Sequence, residues 1–99
     1  MLTAIMLINA ELKSVAAVTR SLAEIPEVRQ LFTTTGQFDV VAVLVVKDSE
    51  ALAEAVTERI ANVPGIVRTS TLLAIRCHAQ SLLQSTFSVG FEPAEPSQS

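Results

Sequence analysis

Two apolar stretches decide the fold of this chain: AIMLI at residues 4–8 and AVLVV at residues 42–46. They lie 38 residues apart, and the sequences that follow them match at the same offset. The further matches are AVT at residues 17–19 with AVT at residues 55–57, and IP at residues 25–26 with VP at residues 63–64. Self-similarity at one offset is typical of a repeated structural unit. The sequence therefore predicts two copies of one supersecondary unit.

The first copy has the pattern of a strand, a helix and a second strand. Thr3–Asn9 is an apolar run of strand length, and apolar residues recur at helical spacing from Leu12 to Ile25. Pro26 ends this helix, because a proline disfavours the α conformation in the residue before it. Val28–Thr35 is rich in β-branched residues, which predicts the second strand.

The second copy repeats this pattern. A strand is predicted over Phe38–Lys47, and Asp48 or Ser49 then provides an N-cap for the next helix. Pro64-Gly65 ends that helix, and Ile66–Arg76 is predicted as the fourth strand. The apolar stripe expected along the helix consists of Leu52, Val56, Ile60 and Val63.

The resulting order, β-α-β-β-α-β, predicts an α+β fold of the ferredoxin-like type. This fold is an antiparallel four-stranded sheet with two helices on one face. The turn between the copies is expected at Thr35-Gly36-Gln37, where the glycine suits a tight turn. Right-handed crossovers place the first and third strands in the centre of the sheet. The outer strands carry polar residues such as Arg29 and Thr69, as edge strands do.

The third predicted strand is apolar on both of its faces. Val40, Ala42, Leu44 and Val46 point to one face, and Val41, Val43 and Val45 point to the other. Two helices cover one face only, and monomers seldom expose an apolar patch of several hundred Å2. We therefore expect a second copy to cover the other face, in a dimeric assembly that resembles an α/β barrel.

Composition and charge exclude several classes of function. The net charge is −3 and the seven basic residues are scattered, which is unlike a nucleic-acid-binding surface. No stretch reaches the roughly 18 apolar residues of a membrane span. The apolar N-terminus also lacks the basic residues that begin a signal peptide. The sequence therefore predicts a cytoplasmic protein with no direct contact to nucleic acid or membrane.

Residues that could carry catalysis or hold a metal are sparse. The chain has one histidine, no tyrosine, no tryptophan and no apparent nucleophile–base pair. Cys77-His78 offers two ligands, whereas a structural zinc site needs four, and a single cysteine excludes an intramolecular disulfide. We expect a protein that is not an enzyme, with no cofactor and no metal site.

Two polar segments are candidates for binding a small ligand. One is TGQFD at residues 35–39, which is typical either of a plain hairpin turn or of a site for a zwitterion. In the second interpretation Asp39 holds an ammonium group, and backbone N–H groups near Gly36 hold the adjacent carboxylate. The other segment is Thr69-Ser70-Thr71, which indicates either simple β-propensity or hydroxyls that bind a polar ligand across a subunit boundary.

The same segments resemble a known family. TGQFDVV at residues 35–41 is similar to a hairpin motif of the Lrp/AsnC (feast/famine) ligand-binding domain, also called the RAM domain. VPGIVRTSTLLA at residues 63–74 is similar to that family's segment with the pattern PGV-x-x-T-x-T. The similarity covers residues 3–76 and implies a domain over residues 1–76.

The resemblance implies dimers that form through the sheets, rings made of dimers, and amino acids bound between dimers. The implied ligand-binding residues are Gly36, Gln37, Phe38 and Asp39 from one dimer and Thr69, Ser70 and Thr71 from another. Most members of the family carry an N-terminal helix-turn-helix. This chain begins at its first strand, so we expect a stand-alone ligand-binding domain that binds an effector or joins a full-length relative.

The function expected from these features is amino-acid sensing by an oligomeric regulatory domain. One alternative is a small enzyme of the dimeric α/β-barrel class, such as a monooxygenase or a haem-handling protein. Another is a purely structural oligomerisation module. Residues 77–91 are expected to form a C-terminal extension with a possible fifth strand at Thr86–Phe91, and residues 92–99 a disordered tail.

Overall fold

The computed structural model describes residues 1–80, which form a four-stranded antiparallel sheet and two helices. The strands are β1 (Leu2–Ala10), β2 (Val28–Thr33), β3 (Val40–Val46) and β4 (Ile66–Ala74), and the helices are α1 (Val15–Ala23) and α2 (Ser49–Glu54). The strand order in the sheet is β2-β3-β1-β4. The predicted ferredoxin-like fold is confirmed, with the first and third strands in the centre.

Helix α1 is shorter than predicted. A 3-10 turn at Leu12–Ser14 precedes it, and it ends at Ala23. The Ser14 N–H donates to the carbonyl of Glu11 at 2.8 Å, and this tight turn leaves the side chain of Leu12 91% exposed. Leu12 therefore lies outside the core, although its spacing fits the apolar pattern of the predicted helix.

Helix α2 begins at the predicted cap. The Asp48 carboxylate accepts a hydrogen bond from the Ala51 N–H at 2.8 Å. The helix then widens into a π-helical turn at Ala55–Arg59 and closes with a 3-10 turn at Ile60–Asn62. Because a π-helical turn contains more residues than an α-helical one, Ala55 and Ile60, five residues apart, both become buried.

The core lies between the two helices and one face of the sheet. The sheet contributes Ala4, Met6, Ile8, Val40, Ala42 and Leu44, and the helical segments contribute Val18, Leu22, Ala55 and Ile60. Among residues 1–80 no polar or charged residue belongs to the buried class. Burial of each large apolar side chain contributes about 1.5–3 kcal/mol relative to exposure. The aliphatic core therefore accounts for much of the free energy of folding.

The opposite face of the sheet, which we call the open face, carries a second apolar set: Ile5, Leu7, Val41, Val43 and Val45. These side chains are half-buried in the single chain. On the edge strands Phe32 pairs with Val41 and Leu72 pairs with Ile5, which places both on the same face. Phe32 is 49% exposed and Leu72 is 50% exposed. The open face is thus apolar from one edge of the sheet to the other.

The strand ends differ slightly from the prediction. β2 ends two residues before Thr35, β3 begins two residues after Phe38, and β4 ends two residues before Arg76. The possible fifth strand at Thr86–Phe91 and the disordered tail at residues 92–99 lie outside the described residues. Within residues 1–80, the helices are too short or too polar to cross a membrane.

Gly65 lies in the turn before β4, where it contacts both the end of β1 and the start of α1. Its carbonyl accepts a hydrogen bond from the Glu11 N–H at 2.9 Å, so the end of β1 is tied to the turn before β4. Its φ is 97°, and a Cβ at this position would lie 2.7 Å from the Cβ of Ser14 and 3.1 Å from Cγ2 of Val18. Any side chain here is excluded both by the backbone conformation and by the start of α1.

We predict that Gly65→Ala destabilises the protein by about 2–5 kcal/mol. Positive φ contributes about 1–2 kcal/mol, and the clash with α1 contributes about 1–3 kcal/mol. The matched control is Gly36→Ala, because Gly36 also has positive φ (103°) but, among residues 1–80, has nothing within 4 Å of an added Cβ. Urea denaturation of both variants measures the difference. Equal losses in the two variants would contradict the close packing of Gly65 on α1.

Candidate functional site

The predicted TGQFD segment lies at the end of the sheet where β1 ends and β3 begins. It belongs to the loop of residues 34–39, which we call the β2–β3 loop. Gly36 is exposed at its tip with φ 103°, and no atom of residues 1–80 lies within 4 Å of a Cβ added there. Gln37 is exposed, and Phe38 and Asp39 are partly buried. The loop is therefore accessible to a ligand at its tip and attached to the sheet at its base.

Asp39 attaches the loop to β1 through both its backbone and its side chain. Its N–H donates to the carbonyl of Ile8 at 3.0 Å. Its Oδ2 accepts hydrogen bonds from the Ala10 N–H at 2.9 Å and from Nδ2 of Asn9 at 3.5 Å. The carboxylate thus serves a backbone donor of β1 where β3 begins. Its other oxygen, Oδ1, has no hydrogen-bond donor within the described part of the chain.

The hydrogen bonds of the loop engage three of its carbonyl groups and leave three of its N–H groups without an acceptor among residues 1–80. The Gln37 carbonyl accepts from Nδ2 of Asn9 at 2.9 Å, and the Phe38 carbonyl accepts from Oγ1 of Thr34 at 2.7 Å. The Asp39 carbonyl accepts from the Thr34 N–H at 3.0 Å. In residues 1–80, by contrast, the N–H groups of Gly36, Gln37 and Phe38 meet no acceptor. Backbone donors gathered at an open loop favour an anionic group such as a carboxylate.

The second candidate segment lies across β1 from the β2–β3 loop. Thr69, Ser70 and Thr71 pair with Ile8, Leu7 and Met6, and all three are exposed on the edge strand β4. Val40 pairs with Ile8 from the other side, so Thr69 is two strand spacings, about 10 Å, from the start of β3. A single chain therefore brings the two segments to the same end of the sheet without bringing them into contact.

The three hydroxyl groups also divide between the faces of the sheet. Ile8 and Met6 are buried under the helices, so their partners Thr69 and Thr71 lie on the helix side of the sheet. Ser70 pairs with Leu7 and therefore lies on the open face. One ligand on one face can reach Thr69 and Thr71 together, or Ser70 alone.

Sequence reasoning missed Asn9, which contacts both the Gln37 carbonyl and the Asp39 carboxylate. In the sequence, the one indication of its role was an amide side chain near the end of an otherwise apolar strand.

Cys77 is exposed, and its thiol contacts the carbonyl of Ala79. In the described part of the chain, no group of three or more His, Cys, Asp or Glu side chains is placed to hold a metal ion.

The fold is that of a small ferredoxin-like α+β domain with an accessible loop at one end of its sheet. The chain matches the family model of the Lrp/AsnC ligand-binding domain over residues 3–82, and it belongs to that family. The predicted family resemblance is confirmed.

Three relatives illustrate the range of similarity. The regulator FL11 of Pyrococcus horikoshii is 28% identical over 78 residues, which are 79% of this chain and 51% of FL11. This chain thus spans about half the length of the curated relatives it matches. The crystal structure of TTHA0845 from Thermus thermophilus shares 39% identity and a TM-score of 0.77, over 81% of this chain and 100% of that chain.

The third relative is the transcriptional regulator NMB0573 from Neisseria meningitidis, whose structure was solved as a complex with L-Met. It has the same fold, with a TM-score of 0.70 and 19% identity, over 82% of this chain and 54% of that chain.

Replacement of Asp39 tests its structural role. Asp39→Ala leaves the Ala10 N–H without its acceptor and should destabilise the protein by about 1–3 kcal/mol. Asp39→Asn keeps an oxygen that accepts this hydrogen bond, so we expect a loss of only about 1 kcal/mol. Gln37→Ala is the control, because the described part of the chain forms a hydrogen bond to the Gln37 carbonyl and none to its side chain. Urea midpoints that do not distinguish Asp39→Ala from Gln37→Ala would refute this role.

Proposed function

We propose that this chain is a non-enzymatic amino-acid-binding domain that forms oligomers and regulates transcription in the cytoplasm, in company with full-length Lrp/AsnC regulators. The observation that carries the proposal is the hydrogen-bond pattern of the β2–β3 loop. Its unpaired N–H groups suit a carboxylate, and Oδ1 of Asp39 suits an ammonium group. An α-amino acid is the small molecule that carries both groups on one carbon atom.

The loop also has the rigidity that such a site requires. Asp39 is bonded to β1 at two points, and Thr34 closes the base of the loop on the carbonyls of Phe38 and Asp39. Groups that are fixed before the ligand arrives lose less entropy on binding. The L-Met complex of the Neisseria regulator supports an amino acid as the class of ligand.

The core supports a role other than catalysis. Enzymes of the dimeric α/β-barrel class need polar or aromatic groups in the space between helices and sheet. In this chain Met6, Ile8, Leu44 and Ile60 fill that space, and all four are fully buried. A filled interior therefore favours a ligand site at the end of the sheet over one inside the domain.

The open face supports assembly into a dimer. Covering apolar surface contributes about 25 cal/mol per Å2 before the costs of association are subtracted. Two open faces packed against each other would produce the barrel-like dimer. Dimers arranged in a ring would then bring Thr69 and Thr71 of one subunit to the β2–β3 loop of another.

The first test of the proposal is binding of amino acids. Calorimetry with the twenty amino acids should identify a ligand for the wild type. Asp39→Asn should weaken its binding about tenfold to a hundredfold, because the charge-assisted bond to the ammonium is worth roughly 1.5–3 kcal/mol. Thr71→Val, which removes one hydroxyl and keeps the shape, should have a smaller effect.

Glu50→Ala serves as the control and should bind normally, because Glu50 is exposed on α2, which follows the end of β3 opposite the β2–β3 loop. A wild type that binds none of the twenty amino acids would leave an oligomerisation module as the better interpretation. Full affinity in Asp39→Asn would place the ligand elsewhere.

The second test is assembly. Light scattering at micromolar concentration should show a dimer or larger species of the 10.6 kDa chain. Val43→Asp places a charge in the middle of the open face and should shift the protein towards the monomer. Leu12→Asp is the matched control, because Leu12 is 91% exposed and lies outside the sheet. A monomeric wild type, or equal assembly of both variants, would refute the role of the open face.

A further inference from the structure

Asn9 is a polar residue in an apolar position. It is the second-last residue of β1, and its neighbours on the same face of that strand are Leu7 and Ile5. It is half-buried, and its partner on β4 is Arg68. If position 9 served only the folding of β1, an aliphatic side chain would suit it as well as asparagine does.

The amide of Asn9 has one defined orientation. Nδ2 donates to the Gln37 carbonyl at 2.9 Å and lies 3.5 Å from Oδ2 of Asp39. The reverse orientation would direct the amide oxygen at two acceptors. In the observed orientation Oδ1 is buried, and no donor among residues 1–80 reaches it. An unpaired buried acceptor costs stability, so the fold carries this cost for the contact with the loop.

The consequence of that contact follows from the geometry of the peptide bond. The Gln37 carbonyl and the Phe38 N–H belong to the same planar trans peptide, in which the C=O and N–H bonds point in opposite directions. Asn9 holds the carbonyl towards β1. The Phe38 N–H must then point away from β1, where no acceptor in the described chain meets it.

We propose that Asn9 is a positioning residue of the amino-acid site, which turns the Phe38 N–H outward to meet the ligand carboxylate. The assignment rests on the proposed function. A positioning role differs from a structural role in one respect. A positioning amide sets the direction of the loop peptide, whereas a structural amide is needed for the stability of the sheet.

The test uses Asn9→Leu, which keeps the branching at Cγ and removes both the donor and the unpaired acceptor. NMR relaxation of the ligand-free protein should show greater mobility of the Gly36, Gln37 and Phe38 amides, while the melting temperature stays the same or rises. Affinity for the amino acid found by calorimetry, with L-methionine as the first probe, should fall roughly tenfold.

Two further variants complete the test. Asn9→Asp has the same shape but cannot donate and repels Asp39, so it should also free the loop. Thr3→Leu is the control, because Thr3 is half-buried on the same face of β1 at its opposite end. It should leave loop order and affinity unchanged.

The outcomes separate the two proposals. If the loop amides stay ordered in both Asn9 variants, or if both retain full affinity, the assignment of Asn9 is wrong even when the wild type binds its ligand. If the wild type binds no amino acid, the proposed function fails, and the mobility of the loop in the free protein still decides whether Asn9 holds it.

Discussion

The pairing of β1 with β3 is the contact on which the rest of the structure depends. Its register runs over seven residue pairs, from Leu2 with Val46 to Ile8 with Val40. This register sends one set of side chains to the helices and the other to the open face. Both sets are apolar, so a slip by one residue would lose less burial energy than in a strand with one polar face. Polar contacts at the end of the pair are therefore important for fixing the register. Asp39 provides them through Ile8 and Ala10.

The same contacts build the candidate site. Asp39 fixes the end of β3 with one carboxylate oxygen and leaves the other available, and Asn9 fixes the direction of the loop peptide. The site thus lies where the central strands are held in register. A ligand that binds there meets groups whose positions are already set by folding. Each carbonyl from Gln37 to Asp39 has a partner in the protein, whereas the N–H groups of Gly36, Gln37 and Phe38 meet no acceptor among residues 1–80.

The sequence predicted the fold through features that are periodic or local. The offset of 38 residues, the alternation along residues 40–46 and the cap at Asp48 each depend on neighbours in the chain. The π-helical turn that follows α2 escaped prediction because it breaks the helical period by which an apolar stripe is recognised. The contact of Asn9 with Gln37 spans 28 residues and has no periodic signal. The location of the candidate loop followed from its motif, whereas its hydrogen bonds required the structure.

The separation of the two candidate segments has a thermodynamic consequence for the proposed function. In one chain, β1 lies between the β2–β3 loop and Thr69, at a spacing of about 10 Å between their strands. A ligand that touches both segments at close range must therefore bridge two subunits. Such a ligand binds the assembled form in preference to the separate subunits. Linkage then requires that it favour assembly by the same factor by which assembly raises its affinity. A site contained within one subunit would create no such coupling unless the ligand altered the interface. The placement of the threonines beyond β1 is thus what would allow the domain to convert an amino-acid concentration into a state of assembly.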